Sequence, residues 1–191
     1  MIDRITSIVG KIGAIAKGER TLSGEETLKT LVDRGLVVGR NLQLGHGSLI
    51  DYNHCWLIDI GDDVVTAPRV HIIAHDASTK RHLGSTRIAR VRIGDRVFLG
   101  AGVIVMPGVT IGNDSIIGAG SVVTKDVPPR VVAAGTPAKA IMTLDEYLDR
   151  CRRVKDSRPN FDASYTVLGG ITREMRDEMR AKLADGEGYV V

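Results

Sequence analysis

The stretch IGDRVFLGAGVIVMPGVTIGNDSIIGAGSVV, Ile93 to Val123, repeats itself every six residues. Ile93, Leu99, Val105, Ile111, Ile117 and Val123 are aliphatic. The positions four further on, Val97, Val103, Val109, Ser115, Ser121 and Val127, are small or β-branched. Glycine follows the aliphatic at Gly94, Gly100, Gly112 and Gly118. Successive matches to one short template mark stacked coils that bury one another, a parallel β-helix. The spacing predicts a short strand and a corner in each hexad, with coils about 4.8 Å apart. The aliphatic points inward, the small residue lies near the turn, and glycine or Pro107-Gly108 relieves the backbone where it bends.

The composition agrees with so narrow a core. Hydrophobic residues make up 43% of the 191, aromatics only 4%, and there are 22 glycines. The same register occurs upstream at Val38, Leu44 and Ile50, then at Ile60, Thr66 and Ile72. The interval from Ile50 to Ile60 is four residues too long, which predicts a bulge near "HCWL". The interval from Ile72 to Ile93 does not divide by six. With "RIARVR" (87–92) as a hexad and Val91 inward, an excursion of about ten residues leaves the helix soon after His75.

The ends read differently. Ile5, Ile8, Ile12 and Ile15 have helical spacing, and Ser23 is a cap for a second helix through Leu31. "TLDEYLDRCRRV" reads as a capped helix, "RPNFDASYTVLGG" as an extended linker, and "TREMRDEMRAKLAD" as an exposed amphipathic helix. The expected organisation is an N-terminal helical cap over 1–36, a β-helix over 37–142 with its active-site loop near 75–90, and a C-terminal helical extension over 143–191. The end pieces would cover coils that are otherwise open edges.

The net charge of +3 does not by itself point to nucleic acid. Lys80, Arg81, Arg87, Arg90, Arg92 and Arg96 stand against one acid, Asp95, as either a solvated loop or an anion-attracting rim. Cys55 and Cys151 have no metal or redox spacing and read as free thiols in a reducing compartment. The first twenty residues make a poor signal peptide and are too short to span a bilayer. A cytoplasmic protein without a membrane span or nucleic-acid partner is expected.

The segment from Ile93 to Ile141, ending "TKDVPPRVVAAGTPAKAI", resembles the C-terminal coils of the hexapeptide-repeat acyltransferases. Within them it is similar to the maltose and galactoside O-acetyltransferase branch. "PRVHIIAHDAS" (68–78) falls where that branch carries its catalytic histidine. The resemblance covers roughly residues 38 to 142 and implies a left-handed β-helix, trimeric, using acetyl-CoA, with no metal expected. "FDASYTVLGGITREMRDEM" also resembles tails on acetyltransferases of surface-polysaccharide pathways.

His75 ends an aliphatic strand where the loop departs, and its match to the family's base makes it the candidate for the chemistry. A sugar hydroxyl is a weak nucleophile at neutral pH, and a neutral imidazole can take its proton during attack on the thioester. The ring needs a partner to fix its tautomer: Asp51 and Asp59, on the coil beneath, are better placed than the adjacent Asp76. The resemblance puts the acceptor against Asp51 and Asn53, while Trp56 either stacks a sugar or purine or simply packs. It also implies that the Ala101 amide receives the oxyanion, the Ala119 amide holds pantetheine, and Lys125 and Lys139 reach the CoA phosphates.

Other readings remain. The acceptor can be the amine of a nucleotide-linked amino sugar, its diphosphate met by the 80–96 loop. A γ-carbonic-anhydrase-like zinc enzyme would use His71 and His75, with His46, His54 and His82 in reserve, although His71 lies on the outward side of its strand. A trimerising scaffold without catalysis is the third.

Overall fold

The computed structural model describes residues 24–191. The helix expected around Ile5–Ile15 and the Ser23 cap lie outside the described residues. The chain divides into a unit ending at Leu144 and a second from Asp145 to Val191.

In the first unit the chain winds through three parallel sheets in rotation. Sheet one holds Val37–Val38, Ile58–Ile60, Val91–Ile93 and Thr110–Ile111. Sheet two holds Val65–Thr66, Phe98–Leu99, Ile116–Ile117 and Val131–Gly135. Sheet three holds Leu49–Ile50, His71–Ile72, Ile104–Val105 and Val122–Val123. Ile93 stacks on Ile111, Leu99 on Ile117 and Val105 on Val123, so one turn takes eighteen residues. Ala138–Thr143 then folds back antiparallel on Val131–Gly135. Three hexads per coil is the expected parallel β-helix.

The expected inward positions form the core. Ile93, Leu99, Val105, Ile111, Ile117 and Val123 are buried, as are Val97, Val103, Val109 and Val127. Ser115 and Ser121 are buried too, because each hydroxyl finds a partner. Ser115 Oγ donates to the Pro128 carbonyl (2.9 Å) and Ser121 Oγ to that of Gly118 (2.6 Å). A buried hydroxyl without such a bond would be costly.

Glycine relieves the corners as expected at Gly108, and also at Gly102 and Gly120, but the glycine directly after the aliphatic has another role. The left-handed corner residue comes three places after the inward aliphatic, at Arg96, Gly102, Gly108, Asp114 and Gly120, with φ between 54° and 91°. The glycine directly after the aliphatic answers a close approach instead. A Cβ on Gly100 would sit 2.5 Å from the Ala119 nitrogen and 2.9 Å from its Cα, well inside the contact distance of about 3.5–4.0 Å. One corner is also bonded by side chains. Asp62 accepts from the Arg40 amide (2.6 Å), Asp95 from the Asp62 amide (2.9 Å) and Asn113 from the Asp95 amide (3.0 Å).

Two departures break the coil, both between a strand of sheet three and the next strand of sheet one. The first is the expected bulge, which contains the 3-10 turn Cys55–Leu57 and buries Cys55. The second is longer than expected: Ile72 stacks on Val105, thirty-three positions on, fifteen more than a regular coil. "RIARVR" is not one hexad. Arg87–Ile88 pairs antiparallel with His75–Asp76, as the returning arm of a ribbon tipped by the short helix Lys80–Leu83. Only from Val91 does the chain rejoin the coil.

The second unit continues the helix Leu144–Ser157, and carries the helix Arg173–Lys182 with Thr172 as its N-cap. Neither helix buries a residue. The segment read as a linker is structured instead: Asn160–Phe161 pairs in parallel with Tyr189–Val190, and Phe161 is buried. Among the described residues no helix is long and apolar enough to cross a membrane.

The two classes of glycine should separate in stability. Gly102→Asn keeps a residue type that already occupies a left-handed corner at Asn41, and should cost about 1 kcal/mol or less. Gly100→Ala forces a methyl against backbone and should cost about 2–3 kcal/mol. Urea unfolding of the two variants measures both; equal losses would show that close approach does not govern Gly100.

Candidate active site

The site begins with one carboxylate. Asp51 follows the sheet-three strand Leu49–Ile50, and its side chain is 1% exposed. Its Oδ1 accepts the amides of Asn53 (3.0 Å) and His54 (3.1 Å), the first bonds of the bulge. Its Oδ2 accepts the Ala74 amide (2.9 Å) and faces His75 Nδ1 at 2.5 Å. The local sequence arranges this: a short acid just after a strand turns the chain back over itself. The next coil delivers Ala74 and His75 directly above it.

Burial pushes the Asp51 carboxyl upward, but the hydrogen bonds from His75, Ala74 and His54 outweigh it, and the net direction is down. Asp51 is therefore a carboxylate at neutral pH. A carboxylate only accepts, so the neutral imidazole carries its proton on Nδ1 and leaves Nε2 as an acceptor. The His75 side chain is 29% exposed, open enough to meet a substrate.

Of the two acids expected to serve His75, the structure gives this place to Asp51. Asp59 bonds Arg90 (2.6 Å) and lies 3.7 Å from Arg92, because alternation along Ile58–Ile60 turns it outward. Asp76 faces away from the pair, taking the Ser78 amide and an ion pair with Arg87 at 3.5 Å. Asn53 and Trp56 are both exposed on the bulge beside Asp51, Trp56 at 53%. His71 pairs in register with Leu49 and Ile104 on the strand before the loop, away from the Asp51 carboxylate.

His54 was held only in reserve by the sequence. Its ring centroid lies 5.0 Å from that of His75 and 5.4 Å from that of Trp56. The signal was the four-residue excess before Ile60, on the same edge as the loop that carries His75.

The other expected site residues are divided between edges. Ala101 and Ala119 are stacked on the edge between sheets two and three, where the Gly120 amide donates to the Ala101 carbonyl (2.8 Å). His75 leaves the edge between sheets three and one. Lys125 is exposed on that same edge beyond Val123, and Lys139 is exposed opposite Ala134 in the closing hairpin. The basic rim is largely neutralised: Arg87, Arg90, Arg92 and Arg96 all stand within ion-pair distance of Asp76, Asp59 or Asp114.

Residues 90–125 match the family model for the bacterial transferase hexapeptide, six repeats. The galactoside O-acetyltransferase of Escherichia coli (strain K12) is 38% identical over 118 residues, 56% of this chain and 57% of that protein. The chain thus spans little more than half the length of the curated relatives it matches. Among solved structures, a maltose O-acetyltransferase from Clostridium difficile 630 is 34% identical, covering 65% of this chain and 79% of that one, with a TM-score of 0.47. A hexapeptide-repeat containing acetyltransferase from Vibrio cholerae O1 biovar eltor, complexed with acetyl coenzyme A, is 31% identical over 56% of this chain and 59% of that one, with a TM-score of 0.51. The six-residue repeat carries that family model over residues 90–125, and the three parallel sheets that the repeat builds agree with it.

Proposed function

We propose that the protein transfers the acetyl group of acetyl-CoA to a hydroxyl of a saccharide, with His75 as general base. The observation that carries the reading is the Asp51–His75 pair, which leaves the imidazole's second nitrogen without a hydrogen-bond partner among the described residues. The hydroxyl gives its proton to Nε2 as its oxygen attacks the thioester carbon. The tetrahedral intermediate collapses by expelling the CoA thiolate, which recovers a proton as thiol, and His75 returns to neutral. Asp51 holds the tautomer throughout and steadies the imidazolium, so its part is to position His75 rather than to touch the acceptor. Asn53 and Trp56 remain on the acceptor side.

The donor side uses the Ala101 amide for the oxyanion, the Ala119 amide for pantetheine, and Lys125 and Lys139 for the CoA phosphates. These alanines occupy a different edge of the prism from His75. One chain cannot bring them together, whereas a neighbouring copy can. The working unit is therefore a trimer of left-handed helices, each site built between two copies. The reaction belongs in the cytoplasm, where acetyl-CoA is made and the free thiols Cys55 and Cys151 persist. The tail over 161–179 is the ground for placing it in polysaccharide biosynthesis. Acetylation of a nucleotide-linked amino sugar has less support, because the arginines offered for its diphosphate are engaged by acids.

His75→Ala should lower turnover roughly 10²–10⁴-fold with little change in acetyl-CoA affinity. Asp51→Asn should also slow turnover while leaving the KM for acetyl-CoA near native. Thiol release across a panel of sugars and nucleotide sugars measures both effects; near-normal turnover of a folded His75→Ala protein would falsify the base assignment.

The Lys125→Ala, Lys139→Ala double change should weaken acetyl-CoA about tenfold or more, and the dephospho analogue less. Equal losses for the two donors would remove both lysines from the 3′-phosphate. Light scattering of the purified protein should give three times the chain mass, and a monomer would exclude a shared site.

A further inference from the structure

A metal-donor set includes the Asp51–His75 pair. Asp51, His54 and His75 each bring one ligand atom to within 4.8 Å of the others. The three differ in how firmly they are held. Asp51 is fixed by amides from three residues, Asn53, His54 and Ala74. His75 is fixed by Asp51. His54 is not held by its ring: its Nδ1 is buried and has no hydrogen-bond partner among the described residues. A buried imidazole nitrogen without a partner is unusual, because leaving it so costs stability. Nothing in the proposed acyl transfer uses it.

We propose that Asp51, His54 and His75 bind one divalent cation of the zinc class, and that its occupancy withdraws His75 from proton transfer. The donors define the class. Two imidazoles and a carboxylate suit Zn²⁺ or Ni²⁺, whereas Mg²⁺ and Ca²⁺ ask for oxygen donors alone. Around a zinc ion with bonds of about 2.0–2.2 Å, tetrahedral donors lie about 3.4 Å apart. Donors as much as 4.8 Å apart must close by up to about 1.4 Å, while Asp51 Oδ2 and His75 Nδ1, now 2.5 Å apart, must open. His54 is the member free to move, since among the described residues its Nδ1 has no hydrogen bond to break. The carboxylate arrives already out of water, its side chain 1% exposed.

The proton balance follows from the pair as it stands. Where the cation takes Asp51 Oδ2 and His75 Nδ1, the proton between them passes through solvent to Nε2, so the imidazole stays neutral and no redox change or further reactant is needed. The cation then orients the imidazole in place of the carboxylate, and Nε2, now protonated, has no lone pair to offer a hydroxyl. It cannot cycle between neutral base and imidazolium. This set differs from the His71–His75 pairing that a carbonic-anhydrase-like reading would require, since His71 is not among its members.

The sole tryptophan, Trp56, supplies a direct reporter, with its ring 5.4 Å from that of His54. The full chain is titrated with Ni²⁺ while its tryptophan fluorescence is followed, then with Zn²⁺ as a competitor. The expected result is quenching that saturates at one Ni²⁺ per chain, is reversed by EDTA and is prevented by Zn²⁺. His54→Gln and His54→Asn should each weaken binding at least tenfold, Asp51→Asn should do the same, and His71→Ala should leave it unchanged. Native-like affinity in a folded His54→Gln or His54→Asn protein would overturn the site, as would an absence of quenching. Binding is read without any substrate, so its outcome is independent of whether the protein acetylates sugars. Where turnover is measured, saturating Zn²⁺ should abolish it and EDTA restore it; undiminished turnover with the cation bound would overturn the inhibitory part.

Discussion

Everything in the first unit depends on the repeat of the coil. Parallel strands in three sheets share one ladder of backbone hydrogen bonds, so each turn must present its inward residue directly over the last. Eighteen residues do this, as the pairs Ile93–Ile111, Leu99–Ile117 and Val105–Val123 show. A turn with any other number must push the excess outside the ladder, because a slip by one residue would point a polar side chain into the bore. The bore has no room for that. Its width also explains the scarcity of aromatic rings.

The candidate site is a product of this constraint. The two turns that carry excess residues release them at the same edge, between sheets three and one. The first gives the bulge with Asp51 and His54; the second gives the ribbon that begins at His75. Coils that stack put those departures on top of one another, so an acid from one turn meets an imidazole from the next without a long reach. A regular repeat thereby fixes the position of two irregular segments. The rigid part contributes Ala74, whose amide binds the same carboxylate oxygen as His75.

Much of this could be read in the sequence, and the limits have physical reasons. Period six, the inward aliphatics and the bulge before Ile60 all followed from side-chain size and spacing. The excursion was underestimated because "RIARVR" alternates like a coil strand, and alternation cannot tell a strand that joins the stack from one that pairs in a ribbon. The choice between Asp51 and Asp59 needed the bulge geometry: both precede His75 by about one coil, but only Asp51 turns into the edge. The basic rim looked available because sequence distance hides its partners, Asp59 and Asp114. Phe161 showed the same blindness in the second unit, where the segment called a linker is anchored by one buried ring.

The corner ladder of Asp62, Asp95 and Asn113 has a consequence for how such a protein can change over time. Each rung depends only on the turn beside it, through one oxygen and one amide. Duplicating or deleting a whole turn keeps every rung intact, since energy here is a sum of neighbour terms. Length can thus vary in steps of one turn while the chemistry at the edge stays where it is. A smaller insertion has only one outlet, a new protrusion at a corner. A lineage built this way gains height by copying turns and new specificity by lengthening its loops, and the two kinds of change need not interfere.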